Sequence, residues 1–213
     1  MALALFFHPL SSYCQKVLMA LYENGTPFEP VQIDLSDPVS RAKLTAHWPI
    51  GKFPVLVDAG WVVPESSIII EYLDQKYPGP VRFIPADPDG ARQMRLRDRF
   101  FDCYIDDQLG RIAALRLRPE GQKDPCGIAE PQARIETALA MVESDMASKT
   151  WAMGDVFTMA DCAAAPALFY ADMVAPFGAT HPNAMAYLKR LMARPSYARV
   201  LREAEPYLHL VPQ

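Results

Sequence analysis

Proline placement constrains this chain more than any other feature. Proline locks φ and lacks a backbone N–H, so an interior proline costs a helix ~3 kcal/mol. The chain carries 20 prolines in 213 residues, about 9% against a typical ~5%. Eleven of them fall between Pro9 and Pro88, leaving only short windows there. Beyond Pro88 two long proline-free windows open, Asp89 to Arg118 and Gln132 to Ala165. Short elements are therefore expected first and long helices second, with Pro78-Gly79-Pro80 to Pro85-Ala86-Asp87-Pro88 as the joint.

Periodicity fills this frame. Leu3 to Phe7 is a short apolar run that reads as a strand and stops at His8-Pro9. Tyr13 to Asn24 places Val17, Leu18, Leu21 and Tyr22 at helical spacing, with Gly25 as the stop. Phe28 to Leu35 reads as a second strand, and Val39 to Ala46 as a short helix. Two more strands flank Asp58-Ala59-Gly60 as a hairpin, and Ser66 to Lys76 closes the unit as a helix. The order β-α-β, loop helix, β-β-α is the thioredoxin-like plan. Helices are expected from there on: Asp89 to Leu117, Pro131 to Ala147, Asp161 to Ala175, His181 to Ala193 and Ser196 to Glu203. The fold class is thus α/β followed by all-α, with residues 1–80 as the first domain, 81–88 as linker and 89–213 as an all-helical domain.

Composition removes several alternatives. With 51% hydrophobic and 22% charged residues the chain is far from the disordered class. A net charge of −4 and a pI near 5.6 disfavour nucleic-acid binding through bulk charge. No run reaches the ~18 apolar residues that cross a bilayer, and the N-terminus lacks the charged leader of a signal peptide. Cys14, Cys103, Cys126 and Cys162 are widely spaced, form no zinc-type pairs, and read as free thiols in a reducing cytoplasm. No metal is expected.

Three short stretches could carry chemistry. Ser11-Ser12-Tyr13-Cys14 lies between the first strand and first helix, where N–H groups and the positive helix end favour an anion or thiolate. Ser11 also reads simply as an N-cap worth ~1 kcal/mol, and Cys14 as a small buried residue. In Gly51-Lys52-Phe53-Pro54-Val55, proline is tolerated at a strand's start. A cis Phe53–Pro54 bond there would instead turn the Phe53 backbone outward, toward a peptide-like ligand. Pro64-Glu65-Ser66-Ser67 reads either as a helix cap or as the receptor of an α-amino acid head group. In the second reading Glu65 takes the ammonium, and Ser66 the carboxylate.

Together these stretches resemble the glutathione transferase superfamily, over essentially the whole chain. The resemblance rests on Ser11-x-x-Cys14 ahead of Val17, on Gly-Lys-Phe-Pro-Val-Leu, and on Pro-Glu-Ser before Ile-Ile-Glu-Tyr-Leu. It also rests on Asp155-Val-Phe-Thr158-Met-Ala-Asp161, which is similar to the family's capping box and hydrophobic staple. The likeness is to bacterial, serine-type members with a theta- or zeta-like motif. It implies a cytoplasmic homodimer that activates glutathione, its co-substrate, as the thiolate for attack on a small apolar electrophile.

Residue by residue, the resemblance makes Ser11 the catalytic hydroxyl. It gives Lys52, Phe53, Pro54, Glu65 and Ser66 to glutathione binding. Tyr13, Tyr104 and Arg111 become candidates for the electrophile pocket. Tyrosine-type chemistry is excluded because Phe6 and Phe7 stand where that tyrosine would be. Asp102 or Asp106 would reach the glutathione amino group across a dimer interface. Most of the Arg92/Arg95/Arg99 and Asp98/Asp102/Asp106 pattern reads as a salt-bridged solvated face. The alternatives are a glutathione-dependent isomerase of the maleylacetoacetate type, a thiol-disulfide reductase using Cys14, or a non-catalytic module that binds ligands or partners. Neither partner nucleic acid nor membrane is expected.

Overall fold

A computed structural model of the chain describes residues 3–119, 122 and 124–212. The first half runs β1 (Ala4–Phe7), α1 (Ser12–Glu23), β2 (Glu29–Gln32), α2 (Pro38–His47), β3 (Val55–Asp58), β4 (Trp61–Pro64) and α3 (Ser66–Lys76). The sheet order is β2-β1-β3-β4, with β1 parallel to β2 and antiparallel to β3. That is the thioredoxin-like arrangement the element order predicts. Asp58 pairs with Trp61 across a two-residue turn in which Ala59 and Gly60 both take positive φ, as the right-handed twist of a tight hairpin requires.

The second half is helical: α4 (Pro88–Phe101), a π-helical turn (Asp102–Asp106), α5 (Asp107–Arg116), α6 (Pro125–Met146), α7 (Met159–Val174), α8 (Pro182–Ala193) and α9 (Pro195–Ala204), ending in a 3₁₀ stretch, Glu205–Leu210. Proline's role is partly the reverse of a breaker. Helices α2, α4, α6, α8 and α9 all carry it in the first turn, where its fixed φ suits the helix and its missing N–H costs nothing. Helix α6 corrects the expected start at Pro131, which lies inside it, and Pro166 lies inside α7. The predicted helix over Asp89 to Leu117 is interrupted by the π turn, and the 3₁₀ stretch lies beyond the last helix that the periodicity predicts.

Helix α7 is the central element, packed against α1 and α4. Its run of buried small residues, Ala160 and Cys162 to Ala165, lets backbones approach it from all sides. Its N-terminus is closed by the expected capping box, with Asp161 accepting the Thr158 N–H at 2.8 Å. Asp161 also accepts from the Ala152 N–H at 2.8 Å and from the Tyr187 hydroxyl at 2.6 Å. The joint at residues 78–87 is strapped down. Phe83 is buried, donates its N–H to Asp74 at 2.9 Å and accepts from the Met159 N–H at 3.0 Å. One apolar core accordingly runs through both halves, from Leu5 and Leu18 to Met94 and Leu168. Among the described residues no helix is long and apolar enough to cross a membrane.

The charge pattern of α4 and the π turn is the main departure from expectation. Arg92 and Arg95 do sit on an exposed face, paired with Asp89 and Glu71. Asp98, Asp102 and Asp106 are instead buried. Lys16 of α1, 1% exposed, places its Nζ 2.6 Å from Asp98, 2.8 Å from Asp102 and 2.9 Å from Ser67 of α3. Arg99 contacts the same two carboxylates from the outer side. Removing Lys16 leaves Asp98 and Asp102 buried with only that outer cation. The Lys16→Met variant is therefore expected to lose about 3–5 kcal/mol in urea denaturation.

Candidate functional site

The N-terminus of α1 is the point on which the site converges. Ser11 is its N-cap, with extended backbone and Oγ accepting the Cys14 N–H at 3.3 Å. The preceding loop is held from below by a buried polar network. Gln15 donates through Nε2 to the Pro9 carbonyl at 2.8 Å and to the Tyr170 hydroxyl at 2.9 Å, and Tyr170 in turn donates to the Leu10 carbonyl at 2.8 Å. Three hydrogen bonds thus fix where Ser11 stands. Nothing in the sequence marks Gln15 and Tyr170, which are 155 residues apart.

Two cavities adjoin there. One, of about 250 Å³, is lined by Lys52, Phe53, Pro54, Glu65 and Ser66, all of the residues proposed for glutathione, together with Trp48. Its opposite wall comes from the second half: Arg99, Asp102, Cys103 and Asp107. The Phe53–Pro54 peptide is cis, and Phe53 precedes the ladder, whose first β1–β3 pair is Phe6 with Val55. Glu65 has φ +71°, a left-handed conformation that costs a non-glycine residue about 1–3 kcal/mol. Its side chain makes no capping hydrogen bond to α3, so the plain cap reading of this motif does not hold. Glu65 is exposed and lines the cavity, with Ser66 buried beside it at the α3 N-terminus.

The second cavity, of about 260 Å³, is lined by Ser11, Ser12, Asp106, Tyr170 and Arg116, with apolar walls from Leu109, Ile112 and Val174. Leu210 to Pro212 of the C-terminal segment close it. Tyr13 lines both cavities and divides them. Its hydroxyl donates to Asp107 at 3.2 Å, and burial with the carboxylates of Asp106, Asp102 and Asp107 pushes its pKa far up. Tyr13 is therefore a neutral partition. Tyr104 and Arg111 are not brought to either cavity. Tyr104 is 55% exposed on a separate groove between α4 and α6, and Arg111 is exposed on α5. Asp106, which the sequence assigns elsewhere, and Arg116, which no motif marks, line the second cavity instead.

Cys14 faces away from the cavities into the core. It is fully buried, and desolvation pushes its thiol up to about 12, against smaller lowering by hydrogen bonds with Ser11 and His8. Such a thiol is inert, which removes the support for thiol-disulfide exchange at this position. Among the described residues no cluster could hold a metal ion.

Comparison with known proteins bears on this geometry. Residues 5–81 match the family model of the glutathione S-transferase N-terminal domain, and residues 128–190 that of the C-terminal domain. The chain is 33% identical to a glutathione S-transferase of Methylobacterium radiotolerans solved in complex with glutathione sulfonate, with a TM-score of 0.83 and 94% of each chain covered. A glutathione S-transferase of Methylobacillus flagellatus with glutathione bound shows 26% identity and a TM-score of 0.87, over 93% of this chain and 98% of the other. A stringent starvation protein A homolog of Histophilus somni is 28% identical over 96% of this chain and 92% of its own.

The four thiols should differ sharply in reactivity. Cys126 is exposed, Cys103 half-buried, and Cys14 and Cys162 buried. Iodoacetamide at pH 8 followed by peptide mass spectrometry is expected to label Cys126 first, and Cys14 and Cys162 only in denaturant. Prompt native labelling of Cys14 would restore the exchange reading.

Proposed function

The chain belongs to the glutathione S-transferase superfamily, and from that premise we propose that it conjugates glutathione to an apolar electrophile, with Ser11 activating the thiol. The observation that carries this reading is the position of Ser11 in the second cavity, one partition away from the cavity of Lys52, Phe53, Glu65 and Ser66. In that placement the sulfur of glutathione lies at the N-terminus of α1, between its own cavity and the electrophile.

The chemistry of Ser11 fits. An ordinary thiol with pKa near ~8.5 is mostly protonated at neutral pH, while the thiolate is the nucleophile. Ser11 Oγ uses a lone pair to accept the Cys14 N–H, so its O–H would turn from the Cys14 thiol to donate to the glutathione sulfur. The free N–H groups of the first turn and the helix dipole favour the same anion. Glu65, in its left-handed conformation and not spent on capping, would take the glutathione ammonium. Ser66 and the α3 N-terminus would take the γ-glutamyl carboxylate. Lys52 would reach the glycyl carboxylate, and the Phe53 backbone would pair with the cysteinyl residue.

The homodimer expected from the family would use the apolar faces of α4, the π turn and α6, where Leu96, Tyr104 and Met141 are exposed. A second reading, a module that binds glutathione or partners without conjugation, draws on the likeness to a stringent starvation protein A homolog rather than a transferase.

Glutathione-affinity retention and aryl-halide conjugation separate the two readings. The Ser11→Ala variant is expected to lose about 10- to 100-fold in kcat, the worth of one hydrogen bond to a charged group at ~1.5–3 kcal/mol. It should also lose about 1 kcal/mol of stability with the cap. Retention on glutathione without any conjugation by the wild type favours the binding module. Unchanged kcat in Ser11→Ala removes that hydroxyl from the mechanism. Glu65→Gln is expected to raise KM for glutathione about 10-fold with little change in kcat, because a ground-state contact is lost.

A further inference from the structure

The second cavity holds a carboxyl group that thiol activation does not use. Asp106 ends the π-helical turn, is 6% exposed, and lines that cavity beside Ser11 and Tyr170. The groups that face it are Ser12, Tyr13 and Lys16 of α1, Asp102 and Asp107 of its own helix, Tyr170 of α7 and Tyr197 of α9. Burial and then the Asp102 charge push its carboxyl up to about 8, with a Ser12 hydrogen bond and the Lys16 charge pulling the other way. Near pH 7 it is chiefly the acid, and a neutral carboxyl in a partly apolar site is a proton donor.

Arg116 lines the same cavity ten residues along the helix, about 15 Å at ~1.5 Å per residue. One of its N–H groups donates to the Pro212 carbonyl at 3.1 Å. Apolar Leu109, Ile112 and Val174 lie in the walls. The cavity thus offers a proton donor, an apolar middle and a cation.

We propose that this cavity takes an α,β-unsaturated carbonyl compound bearing a carboxylate, that Asp106 protonates the carbonyl end as the thiolate adds, and that Arg116 holds the carboxylate. The inference rests on the transferase reading above. In the step, sulfur bonds to the β-carbon, the carbon–carbon π bond breaks, and its electron pair moves to the carbonyl oxygen as an enolate. The Asp106 O–H proton goes to that enolate, which becomes the saturated ketone, and the Asp106 carboxylate is reprotonated from solvent. The proton released when the thiol ionised balances the sum. An aryl halide, by contrast, expels halide and needs no such proton.

The test compares benzoylacrylate, its methyl ester and chlorodinitrobenzene, with glutathione as the thiol. Asp106→Asn is expected to lower kcat for benzoylacrylate about 100-fold or more, and at least about 10 times more than kcat for chlorodinitrobenzene. The wild-type rate with benzoylacrylate should fall above about pH 8, where the Asp106 acid ionises, an alkaline limb absent with chlorodinitrobenzene. Arg116→Gln should raise KM for benzoylacrylate about 10 times more than for the ester. Equal losses on both electrophiles, or a wild-type benzoylacrylate profile without the alkaline limb, would overturn the role of Asp106 while glutathione binding and aryl-halide turnover stand. Absence of both glutathione binding and aryl-halide turnover in the wild type overturns the transferase reading and this inference together.

Discussion

The Lys16 ammonium lies between the carboxylates of Asp98 and Asp102 with the Ser67 hydroxyl beside it, so one buried cation joins α1, α3 and α4. Ser67 donates onward to Asp98 at 2.7 Å, and Arg99 closes the cluster from its outer edge. Two positive and two negative groups are thereby brought together, which limits the cost of withdrawing them from water. Burial and the neighbouring Asp98 still push the Asp102 carboxyl up, with Lys16 and Arg99 opposing. Such a cluster tolerates little sliding. It fixes how far along α1 the long helix sits, and with that the height at which Cys103, Asp106 and Asp107 look into the cleft.

A second polar network acts from the opposite side. Gln15, fully buried, joins the loop ahead of Ser11 to Tyr170 and, at 3.3 Å, to the Tyr197 hydroxyl. Lys16 and Gln15 are consecutive residues that reach different helices of the second half. The first half of the chain supplies the α1 N-terminus beside Ser11, while the second half decides where that N-terminus points. With a common core between them, the two halves are one folding unit in energetic terms, whatever their separate ancestry in pattern.

The sequence reveals the local motifs well and the distant pairings poorly. Lys52 to Pro54 and Glu65-Ser66 are legible because each group reaches the one cavity from its own turn or helix start, and helix Ser66–Lys76 lies where the pattern places it. The carboxylates of α4 and the π turn are buried although i, i+4 alternation with arginine normally marks a wet face, because the partner of Asp98 and Asp102 is Lys16, 86 residues from Asp102. A π turn has no sequence signature, and it alters the facing of everything after it. Tyr104 lies within that turn and Arg111 beyond it, and neither lines either cavity. Proline misled in one place for a related reason. Its cost to an interior turn can be met by packing, so Pro131 did not start α6.

Tyr13 separates a polar compartment, walled chiefly by the first half of the chain, from a more apolar one walled by the second. The two compartments share few side chains. A lineage could therefore reshape Leu109, Ile112 or Val174 without touching the groups that line the other compartment. One ring makes the constant and the variable parts of such a protein separately heritable.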